Sequence, residues 1–147
     1  MEQYSQHFLY PSTLFASKEP YVVKTILGSC VAICLWDPEN RIGGINHYML
    51  PTWNGNDLAS PKYGNIAIDK LLERMGQLGA RRENLKAKIF GGGELIDSGG
   101  NGTLIGERNI RVARMLLEEK KIPVVASSTG GRKGRKILFF TDSGEVR

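Results

Sequence analysis

A cysteine and a histidine lie on two predicted strands that a short turn connects. The apolar run Val31–Trp36 and the run Arg41–Leu50 both favour strand, and the intervening turn carries proline at its second position, as type I turns do. A symmetric turn that pairs Trp36 with Arg41 also pairs Cys30 with His47, whose side chains would then meet on one face of the sheet. A bulge at the glycine pair 43–44 would shift that pairing by one residue.

A thiol beside an imidazole can act as a nucleophile. The thiolate is the reactive form, and a neighbouring imidazolium lowers the pKa of a thiol so that thiolate exists at neutral pH. The alternative is a buried cysteine that packs as a small apolar residue beside an ordinary strand histidine. Cys34 has no such partner and is predicted to be a core residue. Four residues of strand also separate it too far from Cys30 for a disulfide.

The elements that must position this pair are mostly strands. Residues 1–12 are predicted to be irregular, and residues 97–102 to form a glycine-rich loop. Strands are predicted at 21–27, 31–36, 41–50, 86–90, 124–126 (buried) and 137–140, with a final hairpin to 145–147, and helices at 66–78 and 107–120. The predicted fold is therefore a mixed-sheet α/β sandwich, in one domain spanning residues 1–147.

Composition restricts the class of protein. The 147 residues are 41% hydrophobic and 24% charged, with a formal net charge of +5, which is typical of a globular domain. The N-terminus lacks the basic and apolar regions of a secretory signal, so we expect a cytoplasmic protein without membrane insertion. Positive charge could indicate nucleic-acid binding, but only Arg132–Lys136 is a tight cluster, which favours a solvated loop or a contact with an acidic partner.

Several motifs together resemble one known family. They cover nearly the whole chain and include Leu27–Val31, Gly43–His47 with Met49–Pro51, Lys88–Gly92, Ile105–Asn109 and Gly130–Arg132. On these residues the chain resembles the chemoreceptor glutamine deamidases, the CheD family. The resemblance implies an α/β/β sandwich similar to that of deamidases of the cytotoxic necrotizing factor type.

The resemblance also implies a reaction. Cys30 attacks the side-chain carboxamide of a receptor glutamine, His47 acts as base, and water hydrolyses the resulting thioester to glutamate. Backbone N–H groups near Ser29 and Cys30 are expected to hold the oxyanion. Gly28, Ser29 and Gly44 are predicted to contact substrate, because glycine lets a protein substrate approach the backbone. The reaction requires neither a metal nor a cofactor.

A third catalytic residue is implied, a threonine upstream of the cysteine that orients the histidine. Six positions before Cys30 stands Lys24, and Thr25 follows it. Neighbouring strand residues point to opposite faces, so this offset predicts that Thr25 faces away from the site. Residue type nevertheless favours Thr25 for the role.

The implied partners are methyl-accepting chemotaxis receptors and a CheC-type phosphatase, and we expect a monomer. Two other classes of function stay open on the residues. One is a regulator that binds the phosphatase with little or no catalysis. The other is a different thiol hydrolase, such as a peptidase or a methylesterase. The glycine-rich segments lack the G-x-x-x-x-G-K-[ST] pattern, so nucleotide binding is disfavoured.

Overall fold

Two β-sheets and two helices form the described part of the chain. The computed structural model describes residues 3–94 and 104–147. The strands are β1 (Ser5–Phe8), β2 (Leu14–Ser17), β3 (Tyr21–Leu27), β4 (Val31–Asp37), β5 (Ile42–Asn46), β6 (Lys86–Gly91), β7 (Val124–Thr129) and β8 (Arg135–Phe140). The helices are α1 (Gly64–Gln77) and α2 (Ile105–Glu119). Neither of these helices is long and apolar enough to cross a membrane.

The sheets are mixed in direction. The smaller sheet has the order β1-β3-β8, with β1 parallel and β8 antiparallel to β3. The larger has the order β2-β5-β4-β6-β7, antiparallel except for the parallel pair β6–β7. The helices pack on one face of the larger sheet, and the smaller sheet covers the other face. This mixed α/β arrangement confirms the predicted fold class.

Strand β4 is buried on both faces. Ile33 and Leu35 point towards the helices, whereas Cys34 and Trp36 point into the layer between the two sheets. A strand covered on both sides reads as a continuous apolar run, which is why β4 was recognisable in the sequence. The structure confirms Cys34 as a core residue, with none of its surface exposed.

Two predictions about elements were wrong, and one strand was not predicted. The N-terminal segment is not irregular, because it contains β1, and a further strand, β2, was missed. Strand β7 is not buried, because it is an edge strand whose residues are mostly exposed. The predicted loop at 97–102 lies outside the described residues. The final hairpin is present as a single bridge between Phe139 and Val146.

Candidate active site

The pairing of β4 with β5 differs from the predicted one by two residues. Asp37 pairs with Ile42 and Val31 with Tyr48, so His47 stands opposite Ala32 rather than opposite Cys30. A shift of two residues leaves every side chain on its original face. Cys30 and His47 therefore still share the face that looks towards the smaller sheet, as diagonal neighbours expected roughly 7–8 Å apart.

The position of the turn between β4 and β5 explains the two-residue shift in register. The carboxylate of Asp37 accepts hydrogen bonds from the N–H groups of Glu39 (3.0 Å) and Asn40 (3.1 Å), and Arg41 adopts a left-handed conformation with φ of 55°. The strand thus runs through Asp37, and the turn occupies residues 38–41. No bulge occurs at the glycine pair 43–44, since both glycines pair regularly with β2 and β4.

Thr25 contacts the histidine. Its Oγ1 lies 2.7 Å from His47 Nδ1 and also donates a hydrogen bond of 2.7 Å to the carbonyl oxygen of Leu9. Both side chains are buried, with His47 only 1% exposed. Lys24 is exposed on the other face of β3. The expectation that Thr25 faces away from the site was therefore wrong, and the residue type was the better guide.

These contacts determine which ring nitrogen carries the proton. A threonine hydroxyl has one hydrogen, and here that hydrogen goes to the Leu9 carbonyl. Thr25 Oγ1 must then accept a hydrogen bond from Nδ1–H of a neutral His47. This leaves Nε2 with a free lone pair, and among the described residues Nε2 has no hydrogen-bond partner. The ring is thus held as a base at Nε2.

The N-terminal segment holds both members of this contact. The N–H of Ser12 donates to the carbonyl of His47 (2.8 Å), and the N–H of His47 donates to the carbonyl of Thr13 (3.1 Å). Leu9 is fixed by its own N–H, which donates to the carbonyl of Lys24 (2.8 Å). Sequence reasoning missed Leu9, Ser12 and Thr13, because they act through backbone groups that any residue type provides.

Burial shifts the pKa of both reactive groups. Removal from water lowers the pKa of His47 from 6.5 to about 4. Burial raises the pKa of Cys30, although its own backbone N–H offsets part of that change. Each shift favours the uncharged form. The site therefore holds a thiol and a neutral imidazole at neutral pH, rather than the thiolate and imidazolium expected from the sequence.

The loop that carries Cys30 is fixed through its carbonyl groups. The carbonyl of Gly28 accepts from Gly93 N–H (2.9 Å), and that of Cys30 accepts from Gly92 N–H (2.8 Å). On the helix side, Nδ2 of the buried Asn109 donates to the carbonyls of Ser29 (3.0 Å) and of Met49 (2.9 Å). Asn109 thus ties the cysteine loop to the segment that follows His47.

Asn109 belongs to a motif that the sequence singled out, but its contacts were not predicted. Gly28 and Ser29 adjoin Cys30 and are partly exposed, so their role in substrate contact stays a prediction.

Gly44 does not belong to this site, and its assignment as a substrate-contacting residue was wrong. It is buried on the opposite face of β5, against α1. A Cβ atom at this position would lie 2.8 Å from Leu71 Cδ1 and 3.0 Å from Met75 Sδ. The glycine is needed for the close approach of α1 to the sheet, which is a packing requirement.

A partly exposed cysteine, Cys30, thus shares a face with His47, whose ring contacts Thr25. Thiol–imidazole chemistry uses an arrangement of this kind. The family model described as CheD chemotactic sensory transduction matches residues 49–147. Curated relatives are nearly half identical along almost the whole chain. The chain belongs to the CheD family.

Two of these relatives are named "Probable chemoreceptor glutamine deamidase CheD". The protein of Sulfurimonas denitrificans is 48% identical over 98% of this chain and 93% of its own length. The protein of Trichlorobacter lovleyi is 50% identical over 96% of this chain and 88% of its own length.

A solved structure is similar in fold. The crystal structure of the hypothetical protein YfiH of Bacillus licheniformis matches with a TM-score of 0.52 at 16% identity, over 81% of this chain and 51% of that chain. At this identity the likeness concerns the fold alone.

Proposed function

We propose that this protein hydrolyses glutamine side chains of methyl-accepting chemotaxis receptors to glutamate. The observation that carries the proposal is the chain of contacts from the Leu9 carbonyl through Thr25 to His47 Nδ1, which leaves Nε2 as the free base. Membership of the CheD family and the names of the relatives supply the substrate.

In the first half of the reaction the sulfur of Cys30 attacks the carbon of the glutamine carboxamide. Nε2 of His47 takes the thiol proton as the bond forms, because both groups start uncharged. The same proton then goes to the leaving nitrogen, so ammonia departs and a thioester remains. This order needs no preformed thiolate.

Water completes the reaction. Nε2 removes a proton from the attacking water, the C–S bond breaks, and the proton returns to sulfur. The products are a glutamate side chain and the starting thiol. Thr25 keeps the imidazole in one tautomer throughout, since Nδ1–H remains bonded to Oγ1.

The oxyanion of each tetrahedral intermediate needs donors next to the sulfur. The backbone N–H of Cys30 lies close enough to its own Sγ to favour the thiolate. We assign the oxyanion to this N–H together with that of Ser29, whose loop is held still by Asn109 and Gly92.

Further expectations belong to the same proposal. We expect a monomer of one domain that acts in the cytoplasm and has the architecture of deamidases of the cytotoxic necrotizing factor type. A CheC-type phosphatase is the second expected partner. A purely regulatory role is less well supported, because a binding module would not need the ordered contact of Leu9, Thr25 and His47.

Product analysis tests the proposed reaction. The purified protein is incubated with a cytoplasmic receptor fragment, and ammonia and the mass of the fragment are measured. Deamidation releases ammonia and replaces an amide by a carboxylate in an unbroken chain. Cleavage of the fragment would instead indicate a peptidase, and methanol release a methylesterase. Absence of all three products with a well-folded receptor fragment would contradict catalysis.

A further inference from the structure

Four cations lie close together in one surface loop. Residues 130–136, here called the basic loop, comprise the turn between β7 and β8 and the first two residues of β8. They contain Arg132, Lys133, Arg135 and Lys136. Arg135 is half-buried, and the other three are exposed. No salt bridge among the described residues involves any of the four. The reaction proposed above gives this concentrated charge no role.

The basic loop lies beside the cysteine. Residues 91–94 form a strip whose N–H groups hold the carbonyls of Gly28 and Cys30. The far side of the same strip bonds the loop, through Gly130 N–H to Gly91 (2.9 Å) and through Glu94 N–H to Gly131 (2.8 Å). Strand spacing places the start of the loop only about 10 Å from the cysteine loop.

The loop also reaches the cysteine from the smaller sheet. Arg135 pairs with Leu27, the last residue of β3 and three residues before Cys30. Gly134 lies so close to the carbonyl of Leu27 that a Cβ atom there would be 3.2 Å away. The basic loop therefore spans the edge of both sheets at the end where Cys30 is exposed.

Arg135 gives the loop a fixed shape. Its Nη2 donates to the carbonyl of Gly130 (2.7 Å) and its Nε to Oγ of Ser128 (3.2 Å). The third nitrogen, Nη1, is buried without a hydrogen-bond partner among the described residues. A loop folded around its own arginine presents Arg132, Lys133 and Lys136 to solvent.

We propose that the basic loop binds acidic side chains that flank the target glutamine on the protein substrate. This inference rests on the proposed function, and it assigns to the basic loop the choice among glutamines of the substrate. Exposed cations attract carboxylates within a Debye length of about 8–10 Å, and more distant charges are screened by salt. A carboxylate one or two helical turns from the glutamine would reach the loop while the amide reaches Cys30.

A peptide is favoured over nucleic acid as the partner. The charge is confined to one short loop, whereas the other basic residues are scattered. Binding to a phosphate backbone generally uses an extended track of cations. The loop also adjoins a site whose chemistry requires an amide.

Binding measurements on Cys30→Ala protein test this proposal without turnover. Two labelled helical peptides share a central glutamine, and its neighbours at one-turn spacing are glutamates in one peptide and glutamines in the other. The test variant carries R132Q, K133Q and K136Q. The control variant carries K18Q, K70Q and R74Q, an equal loss of charge at exposed positions outside the loop.

We expect the unmodified surface to bind the acidic peptide on the order of tenfold more tightly at low salt, with the preference disappearing at high salt. The control variant should keep this preference, and the loop variant should lose it. An undiminished preference in the loop variant would overturn the proposal. So would tighter binding of a single-stranded oligonucleotide of equal charge, since the partner would then be nucleic acid.

The same peptides separate this inference from the proposed function. If protein with Cys30 intact releases ammonia from neither peptide, the proposed function fails, while the binding preference still decides the role of the loop. If both peptides are deamidated with equal kcat/KM at low salt, the function stands and the role of the basic loop is refuted.

Discussion

The two cysteines lie four residues apart on one face of one sheet and occupy different environments. Cys34 is at the centre of the layer between the sheets, fully buried among apolar side chains, and burial strongly raises its pKa. Cys30 is at the end of that layer, partly exposed, on the loop that precedes β4. Depth within one layer, rather than residue type, therefore decides which of the two thiols a substrate could reach.

The largest expected effect comes from removing each thiol in turn. Cys30→Ala should abolish deamidation of a receptor fragment, because it removes the nucleophile. Cys34→Ala should keep most of the activity, because that sulfur is fully buried and a substrate cannot reach it. Ammonia release and alkylation by iodoacetamide report on the two positions. Equal turnover by both variants would contradict the assignment of Cys30.

Replacing His47 should give the next largest loss of activity. His47→Gln keeps a polar side chain but removes the base at Nε2, so kcat should fall on the order of 10²-fold or more. The control is His7→Gln, because His7 stacks on Phe15 away from the cysteine loop. Near-normal turnover of His47→Gln would show that another group takes the thiol proton.

Low pH should destabilise the folded protein because of the buried His47. The pKa of His47 is about 4 when folded and 6.5 ordinarily, so the unfolded chain binds more protons between these values. Because His47 is buried in its neutral form, the free energy of unfolding falls by roughly 3 kcal/mol as the pH falls from 6.5 to 4. Between pH 7.5 and pH 5, the free energy of urea unfolding should fall by about 2 kcal/mol less in His47→Gln than in wild type. Equal losses would contradict the pKa.

Orientation of the imidazole by Thr25 predicts a smaller change. Thr25→Val keeps the shape but removes the acceptor of Nδ1–H, so kcat should fall about tenfold with little change in KM. Thr25→Ser should restore most of the rate, and Lys24→Ala should be nearly normal because Lys24 faces solvent. A rate for Thr25→Val equal to that of wild type would show that the backbone alone holds the ring.

The smallest effect concerns the buried thiol. Cys34→Ala leaves a small void in the packed layer that also contains Ile45 and Phe139, so the free energy of unfolding should fall by about 1–2 kcal/mol. The corresponding change at the partly exposed Cys30 should be smaller. Urea denaturation of both variants measures the difference, and a larger loss for Cys30→Ala would reverse the comparison.

The sequence predicted the elements whose signal is local. Strands β3, β4 and β6 and both helices follow from apolar runs and periodicity. Strand β1 was missed because its residues are mostly exposed and polar and it pairs in parallel with β3, a non-local contact. The register of β5 was missed because a side-chain contact of Asp37 moved the turn.

The candidate site was predictable in its residues and less so in its geometry. Cys30 and His47 lie on one face as predicted, because the predicted β4–β5 register was wrong by two residues and an even shift keeps each side chain on its face. The position of Thr25 could not be counted from Cys30, since β3 and β4 belong to different sheets and the chain crosses between them at Gly28 and Ser29. Alternation of faces holds only within one strand.

Strand β1 gives the protein a local mode of failure. It is an exposed edge strand, and its continuation supplies the Leu9 carbonyl that receives the Thr25 proton. Edge strands open at a lower free energy than the core, as hydrogen exchange detects. When β1 separates, the Thr25 hydroxyl is free to rotate and donate to Nδ1 instead, which moves the imidazole proton to Nε2. Thermal inactivation would then precede global unfolding, with β3, β8 and the larger sheet still in place.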